Sequence, residues 1–312
     1  MIDLWDPFAG YLRAKDRSDL TISGYLQDLR LFADWFRTTN GEEPAPEVIT
    51  PLDVREYRSH LVNVQRQGPA TVNRKLAALR AWLAWAQSTG QIEANPAEQI
   101  KGVKSVEQPP RWLDRKETYA LLRELQKAEQ AAAARGGGNA GHPATVQARR
   151  DSAVIALLLH AGLRVGELVA LQVGDVDLSD RKGQVVVRFG KGGKQRTVPL
   201  NVDARRAVRA WLDVRHRGGD RLFYGKQGEA LTERGVQHLV ARYGRLAGLE
   251  GVTPHSLRHT FGKSLVDAGV SLDRVAKLMG HDRLDTTKVY TTPSAGDLAV
   301  AVERVAWTDD PA

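Results

Sequence analysis

The feature that most constrains this fold is where proline sits. Thr50-Pro51-Leu52-Asp53 and Thr253-Pro254 each place a capping residue ahead of a proline. That arrangement opens a helix, because the N–H that proline lacks has no partner in the first turn anyway. Gly68-Pro69 breaks the chain before another long periodic stretch, while Asn95-Pro96 and the Pro109-Pro110 pair fall where no periodicity continues. The breaks divide the 312 residues into a domain at 1–105, a linker at 106–112, a second domain at 113–295 and a tail at 296–312.

The first domain reads as helical throughout. Tyr25, Leu29, Phe32 and Phe36 recur at helical spacing after Thr21, and the helix opened at Thr50 is expected to run to about Gln65. Beyond Pro69, Val72, Leu76, Leu79 and Leu83 form an apolar stripe, with Arg74, Lys75 and Arg80 expected off it. A bundle of four or five short helices follows from this pattern.

The second domain mixes elements. Leu113-Asp114 opens a helix through Leu121, Leu122 and Leu125. The glycine-rich run from Arg135 to Ala144 has loop composition and includes His142, read as a loop histidine. Asp151 to His160 is expected as an apolar helix, followed by a turn at Ala161-Gly162-Leu163 and a helix carrying Arg164 and Glu167, three apart and therefore able to pair. Residues 185–189 and 197–200 read as strands joined by a basic glycine-rich turn with Lys191 near its tip. Helices are expected near 202–216, 232–247 and 255–268, with a short Leu222-Phe223 strand. Ser271 caps a helix that Gly280 stops, and a short helix from Thr286 carries Tyr290. The fold class is mainly α with a small antiparallel sheet in the C-terminal domain, an α+β arrangement.

Composition narrows the function. There is no cysteine, which excludes disulfides, thiolate zinc sites and a cysteine nucleophile. No apolar run is long enough to span a bilayer, and the first residues lack a signal-peptide pattern, so a cytoplasmic location is expected. Net charge is +8. Between residues 57 and 92 lie Arg58, Arg66, Arg74, Lys75 and Arg80 without one acid. This stretch and the net positive charge of the chain beyond residue 105 make two basic zones, which point to nucleic acid.

His255-Ser-Leu-Arg-His-Thr260 sharpens this. His255 and Arg258 share a helix face in the first turn, where backbone N–H groups and the helix dipole favour an anion, and arginine matches phosphate with two prongs. Taken in order, Ala161-Gly-Leu-Arg-Val-Gly-Glu-Leu168, Gly190-Lys-Gly-Gly-Lys-Gln-Arg-Thr-Val-Pro199, the His255–Thr260 run, Leu278-Met-Gly-His281 and Tyr290 resemble the tyrosine recombinase, or phage-integrase-like, family, in particular its short Xer-type members. The resemblance extends over nearly the whole chain.

It implies a two-domain DNA clamp, a helical core-site-binding domain followed by a catalytic domain, that exchanges DNA strands through a 3′-phosphotyrosyl intermediate and a Holliday junction. By matching motif, Tyr290 would be the nucleophile, Arg164 and Arg258 would clamp the scissile phosphate, and Lys191 would protonate the leaving 5′-oxygen. His255 would assist proton transfer, His281 would bond a phosphate oxygen, and Glu167 would support the arginines. Lys194 is the rival for the acid role. DNA contacts are expected from Arg66, Arg74, Lys75, Arg80, Lys194 and Arg196. His259 stands four from His255, but the helix lacks the glutamate of a zinc-protease motif, and His259 is read as structural. His160 and His238 are read as core or surface residues.

The same resemblance implies double-stranded DNA with a specific site, a homo- or hetero-tetramer on two sites with or without a sister recombinase, nucleoid association, and neither cofactor, metal nor membrane. The chain is expected to carry no separate arm-site-binding domain. Leu298, Val302 and Val305 suggest a tail helix that docks on a neighbouring subunit. Two other readings stand beside recombination: type IB topoisomerase-like relaxation and a catalytically silent architectural protein.

Overall fold

The structure is a computed structural model and describes residues 5–104, 110–188, 195–215, 218–225, 228–280, 287 and 289–291. It separates into two compact units, residues 1–108 and 109–312.

The first unit is a helical bundle: α1 (Asp6–Ala14), α2 (Asp19–Asn40), α3 (Pro51–Ser59) and α4 (Pro69–Ser88). Each start follows from its sequence. Ser18 caps α2 by accepting the Thr21 N–H at 3.3 Å. At α3, Thr50 and Asp53 form a capping box, in which the Thr50 N–H donates to Asp53 Oδ2 at 2.8 Å and the Asp53 N–H returns to Thr50 Oγ1 at 3.3 Å. The helix does not continue as one regular rod to Gln65, because α3 gives way to a π-helical turn at His60–Val64. The core is aromatic: Trp5 meets Trp82 edge-on with ring centroids 4.8 Å apart, and Phe32 meets Tyr57 at 5.0 Å.

In the second unit, α5 (Arg115–Arg135), α6 (Pro143–His160), α7 (Val165–Ala170), α8 (Val202–Leu212), α9 (Glu233–Leu246), α10 (Pro254–Asp267) and α11 (Leu272–Met279) surround a small sheet. Strands β1 (Val176–Leu178), β2 (Gly183–Val187) and β3 (Arg196–Pro199) are antiparallel in that order, with Val185 opposite both Val176 and Val198. The centre is α6, where Ala153, Val154, Ile155, Leu157 and Leu158 are all fully buried, as the apolar second half of a helix must be. Asp151, also fully buried, is ion-paired with Arg150 Nη2 at 2.8 Å and Arg242 Nη2 at 2.6 Å.

Two expectations need correction, and one strand was not expected. The helix expected at Asp151 begins eight residues earlier at Pro143, capped by His142, whose Nδ1 accepts the Ala144 N–H at 3.3 Å. Glycine-rich composition hid a cap-and-proline start of the kind seen at Thr50. Leu222-Phe223 is no strand: both side chains are buried, but the backbone there makes only isolated bridges, Gln172 with Arg221 and Tyr224 with Ala230. β1 lies in a run, Val173 to Leu178, too short and too acidic to show a period of its own.

Candidate active site

The site forms where α7, α10 and the end of α11 meet. The chain enters it through Gly162, at φ +60°, where an added Cβ would lie 2.3 Å from the Phe261 ring of α10. That bend admits only glycine. It turns the Gly162 carbonyl toward Arg258, whose Nη1 donates to it.

Arg164 then begins α7. Its N–H donates to Glu167 Oε2 at 2.8 Å and its Nη1 to Oε1 at 2.8 Å, so the i, i+3 pair read from the spacing is present. Glu167 also receives Arg196 in a two-pronged pair, both contacts at 2.7 Å, and Arg258 Nη1 lies 3.9 Å from Oε2. One buried carboxylate thus stands among three guanidiniums. Burial alone would raise the Glu167 pKa, but hydrogen bonds from Arg196 and then Arg164 outweigh it, and the group is held below its ordinary value.

A second acceptor set completes the cluster. The carbonyls of the last turn of a helix have no partner within it. At the end of α11 three are used by arginines: Leu278 O by Arg196 Nε at 3.1 Å, Met279 O by Arg258 Nη2 at 2.5 Å, and the O of the capping Gly280 by Arg164 Nη2 at 2.7 Å. Gly280, at φ +64°, is the left-handed stop expected of it, and a Cβ there would meet Arg196 Nη1 at 2.9 Å. Three cations and one carboxylate leave a local excess of two positive charges, gathered at the negative end of a helix dipole. An anion is what such a place lacks.

α10 supplies the remaining groups. Its start is a capping box, with the Thr253 N–H on Ser256 Oγ at 2.8 Å and the Ser256 N–H on Thr253 Oγ1 at 3.1 Å. Arg258 is 2% exposed, and burial followed by the neighbouring Arg164 lowers its pKa to about 10, still fully charged near neutrality. His255 is pushed below its ordinary value, by burial first and then by Arg258 and Arg164. Tyr290 lies in the single turn Val289–Thr291, 1% exposed, its ring over Gly262, where a Cβ would come within 2.7 Å of Tyr290 Cζ. Burial raises its phenol to about 12 against the pull of Arg258 and Arg164.

His259 was not expected here. Its Nδ1 lies 2.9 Å from Tyr290 Oη, and its ring meets that of His255 edge-on at 4.2 Å. The signal in the sequence was the spacing of four from His255, which puts both rings on one side of α10.

Other expected residues fall elsewhere. Arg196 was expected to meet DNA; it is instead held beneath the site by Glu167 and Leu278 O. Alternation along β3 puts it on the same side as the buried Val198, the signal that places it inward. Arg80 does not face outward free for a phosphate either, since it donates to Ala97 O at 3.3 Å and Ile100 O at 2.9 Å. Lys75, expected off the apolar stripe, is 6% exposed. Arg74 is ion-paired with the buried Asp28 while its side chain stays 51% exposed, and Arg66 is exposed at φ +49°. Lys191, Lys194, His281 and the tail at 296–312 lie outside the described residues.

Comparison with known proteins bears on this geometry. A family model described as the phage integrase family matches residues 111–296, and one described as the phage integrase N-terminal SAM-like domain matches residues 6–90. A tyrosine recombinase XerC of Corynebacterium efficiens is 32% identical over 96% of this chain and 90% of its own length. The corresponding protein of Pelotomaculum thermopropionicum is 34% identical over 92% of each. Among solved structures, a XerH site-specific recombinase bound to a palindromic difH substrate in a post-cleavage complex superposes with a TM-score of 0.73 at 24% identity, covering 93% of this chain and 81% of that one. A lambda integrase dimer bound to a core site gives 0.66 at 18%, over 89% and 94%. The chain belongs to the phage integrase family. It is a tyrosine recombinase, an enzyme of site-specific DNA recombination, similar over nearly its whole length to XerC proteins.

Proposed function

We propose that this recombinase cleaves double-stranded DNA at a specific site by attack of Tyr290 on the scissile phosphate, leaving a 3′-phosphotyrosyl link that a 5′-hydroxyl from a second duplex then resolves. The convergence of Arg164 and Arg258 on the end of α11, with Glu167 as their shared counter-charge, supports this reading most strongly. Attack builds negative charge on the non-bridging oxygens, and a fixed donor aimed at such charge contributes about 3–4 kcal/mol. Glu167 and the α11 carbonyls hold the two guanidiniums in place before substrate arrives, so little reorganisation accompanies the reaction.

Lys191 is the proposed acid for the leaving 5′-oxygen, with Lys194 as its rival. His255 assists proton transfer, and His281, immediately after the α11 stop, bonds a phosphate oxygen. The stored phosphotyrosyl bond supplies the energy for rejoining, so the chemistry requires no nucleotide.

The unit at 1–105 is proposed to hold the core site, with Arg66 and Arg74 as phosphate contacts, and the tail at 296–312 to bind a neighbouring subunit. The working assembly is a tetramer on two DNA sites in the nucleoid, serving dimer resolution or a mobile element. Tyr290→Phe tests the reading: covalent adducts on a nicked suicide substrate disappear while half-site affinity is kept. Adduct formation by this variant contradicts it.

A further inference from the structure

We infer that His259 is the general base of this reaction, taking the Tyr290 phenol proton on Nδ1 as Oη attacks phosphorus. This rests on the assignment of Tyr290 as the nucleophile.

A phenol held at about 12 is ionised in roughly one molecule in 10⁵ at pH 7, so the buried hydroxyl reaches phosphorus with its proton still attached. That proton needs an acceptor within hydrogen-bond reach. His259 Nδ1 is at 2.9 Å, and with the ring protonated at Nε2 the Tyr290 hydroxyl donates to it. Two features of α10 hold this pairing. Gly262, one turn along α10, lets the tyrosine ring approach the helix closely, since a Cβ there would stand 2.8 Å from Tyr290 Cε2. The His255 ring, edge-on at 4.2 Å, packs against that of His259. Burial, Arg258 and Arg164 push His255 below its ordinary value, which disfavours an imidazolium beside a proton arriving on His259.

The step balances without a further reactant. The Oη–P bond forms, the P–O5′ bond breaks, the phenol proton passes to His259, and the 5′-oxygen takes a proton from a separate acid. Religation runs the same transfer backward: the tyrosine oxygen leaves phosphorus and recovers its proton from His259. His255 and His259 thereby divide the labour of the His255–Thr260 run, one facing the phosphate and the other facing the nucleophile.

The test is single-turnover cleavage of a nicked suicide substrate by the full chain carrying His259→Gln or His259→Phe. A second substrate carries sulfur in place of the bridging 5′-oxygen. A thiolate leaves without a proton, so this substitution relieves the loss of an acid and not the loss of a base. Both variants are expected to bind half-sites as the parent does and to cleave about 10²–10³-fold more slowly, equally so on the sulfur substrate. Cleavage at the parent rate overturns the inference. So does recovery on the sulfur substrate, which would move His259 to the leaving group, or loss of half-site binding in both variants, which would make it a folding residue. Tyr290→Phe, run alongside, separates the two claims: an inactive Tyr290→Phe with a normal His259→Gln removes only the base, whereas an active Tyr290→Phe removes the nucleophile.

Discussion

At the scale of single residues, the site depends on Glu167 more than on any one arginine. It accepts from Arg164 and Arg196 and lies near Arg258, so its removal leaves three guanidiniums facing one another without their shared counter-charge. Glu167→Gln keeps the shape and loses the charge; unpairing a buried ion cluster of this kind costs about 3–5 kcal/mol. Urea unfolding at pH 7 reads that loss directly. The pH dependence has a definite sign. The Glu167 carboxyl is held below its ordinary 4.5 in the folded protein, so its contribution is complete above that value and fades as pH falls through the lower folded one. The acid limb of the parent's stability curve should therefore be steeper than that of Glu167→Gln, and identical limbs would contradict the pairing. Spacing alone revealed Arg164 with Glu167, because three residues is a helical neighbour distance. It could not reveal Arg196, which arrives from a different element, nor His259, whose partner lies 31 residues away.

Elements divide along the same line. Helix starts were legible because caps and prolines act locally, and the start at Thr253 that aims His255 and Arg258 was read from two residues. The start at Pro143 carried the same local signal beneath a glycine-rich composition. β1 and the bridges around Leu222 depend on partners supplied by the tertiary fold. The basic stretch on α4 shows the same limit: a count of charges does not say which bases face water. Arg74→Ala and Arg80→Ala should consequently behave differently. Arg74 keeps half its side chain exposed beside Asp28, and its loss should weaken DNA binding and lower the slope of log affinity against log salt by about 1. Arg80 fastens α4 to the carbonyls of Ala97 and Ile100, and its loss should destabilise the first unit by about 1–3 kcal/mol with the salt slope unchanged. Equal salt slopes for the two variants would contradict the assignment.

For the molecule as a whole, recombination joins two duplexes, so cleavage chemistry and assembly are separable. Deleting residues 296–312 is expected to preserve half-site binding and to diminish synaptic complexes and recombination, followed by gel shift beside a recombination assay. A truncated chain that assembles and recombines at the parent rate would return the Leu298, Val302 and Val305 stripe to its own domain. Cleavage is also expected in excess EDTA, because the charge that builds on phosphate is met here by guanidiniums; activity lost to chelator and restored by magnesium would contradict that. Whether Tyr290 carries the DNA is read from the covalent adduct itself. The adduct trapped on a suicide substrate is trimmed with nuclease, digested with protease and sequenced by mass spectrometry. The account predicts a nucleotide joined through its 3′-phosphate to the peptide containing Tyr290; a nucleotide on any other residue, or one joined through its 5′-phosphate, would contradict it.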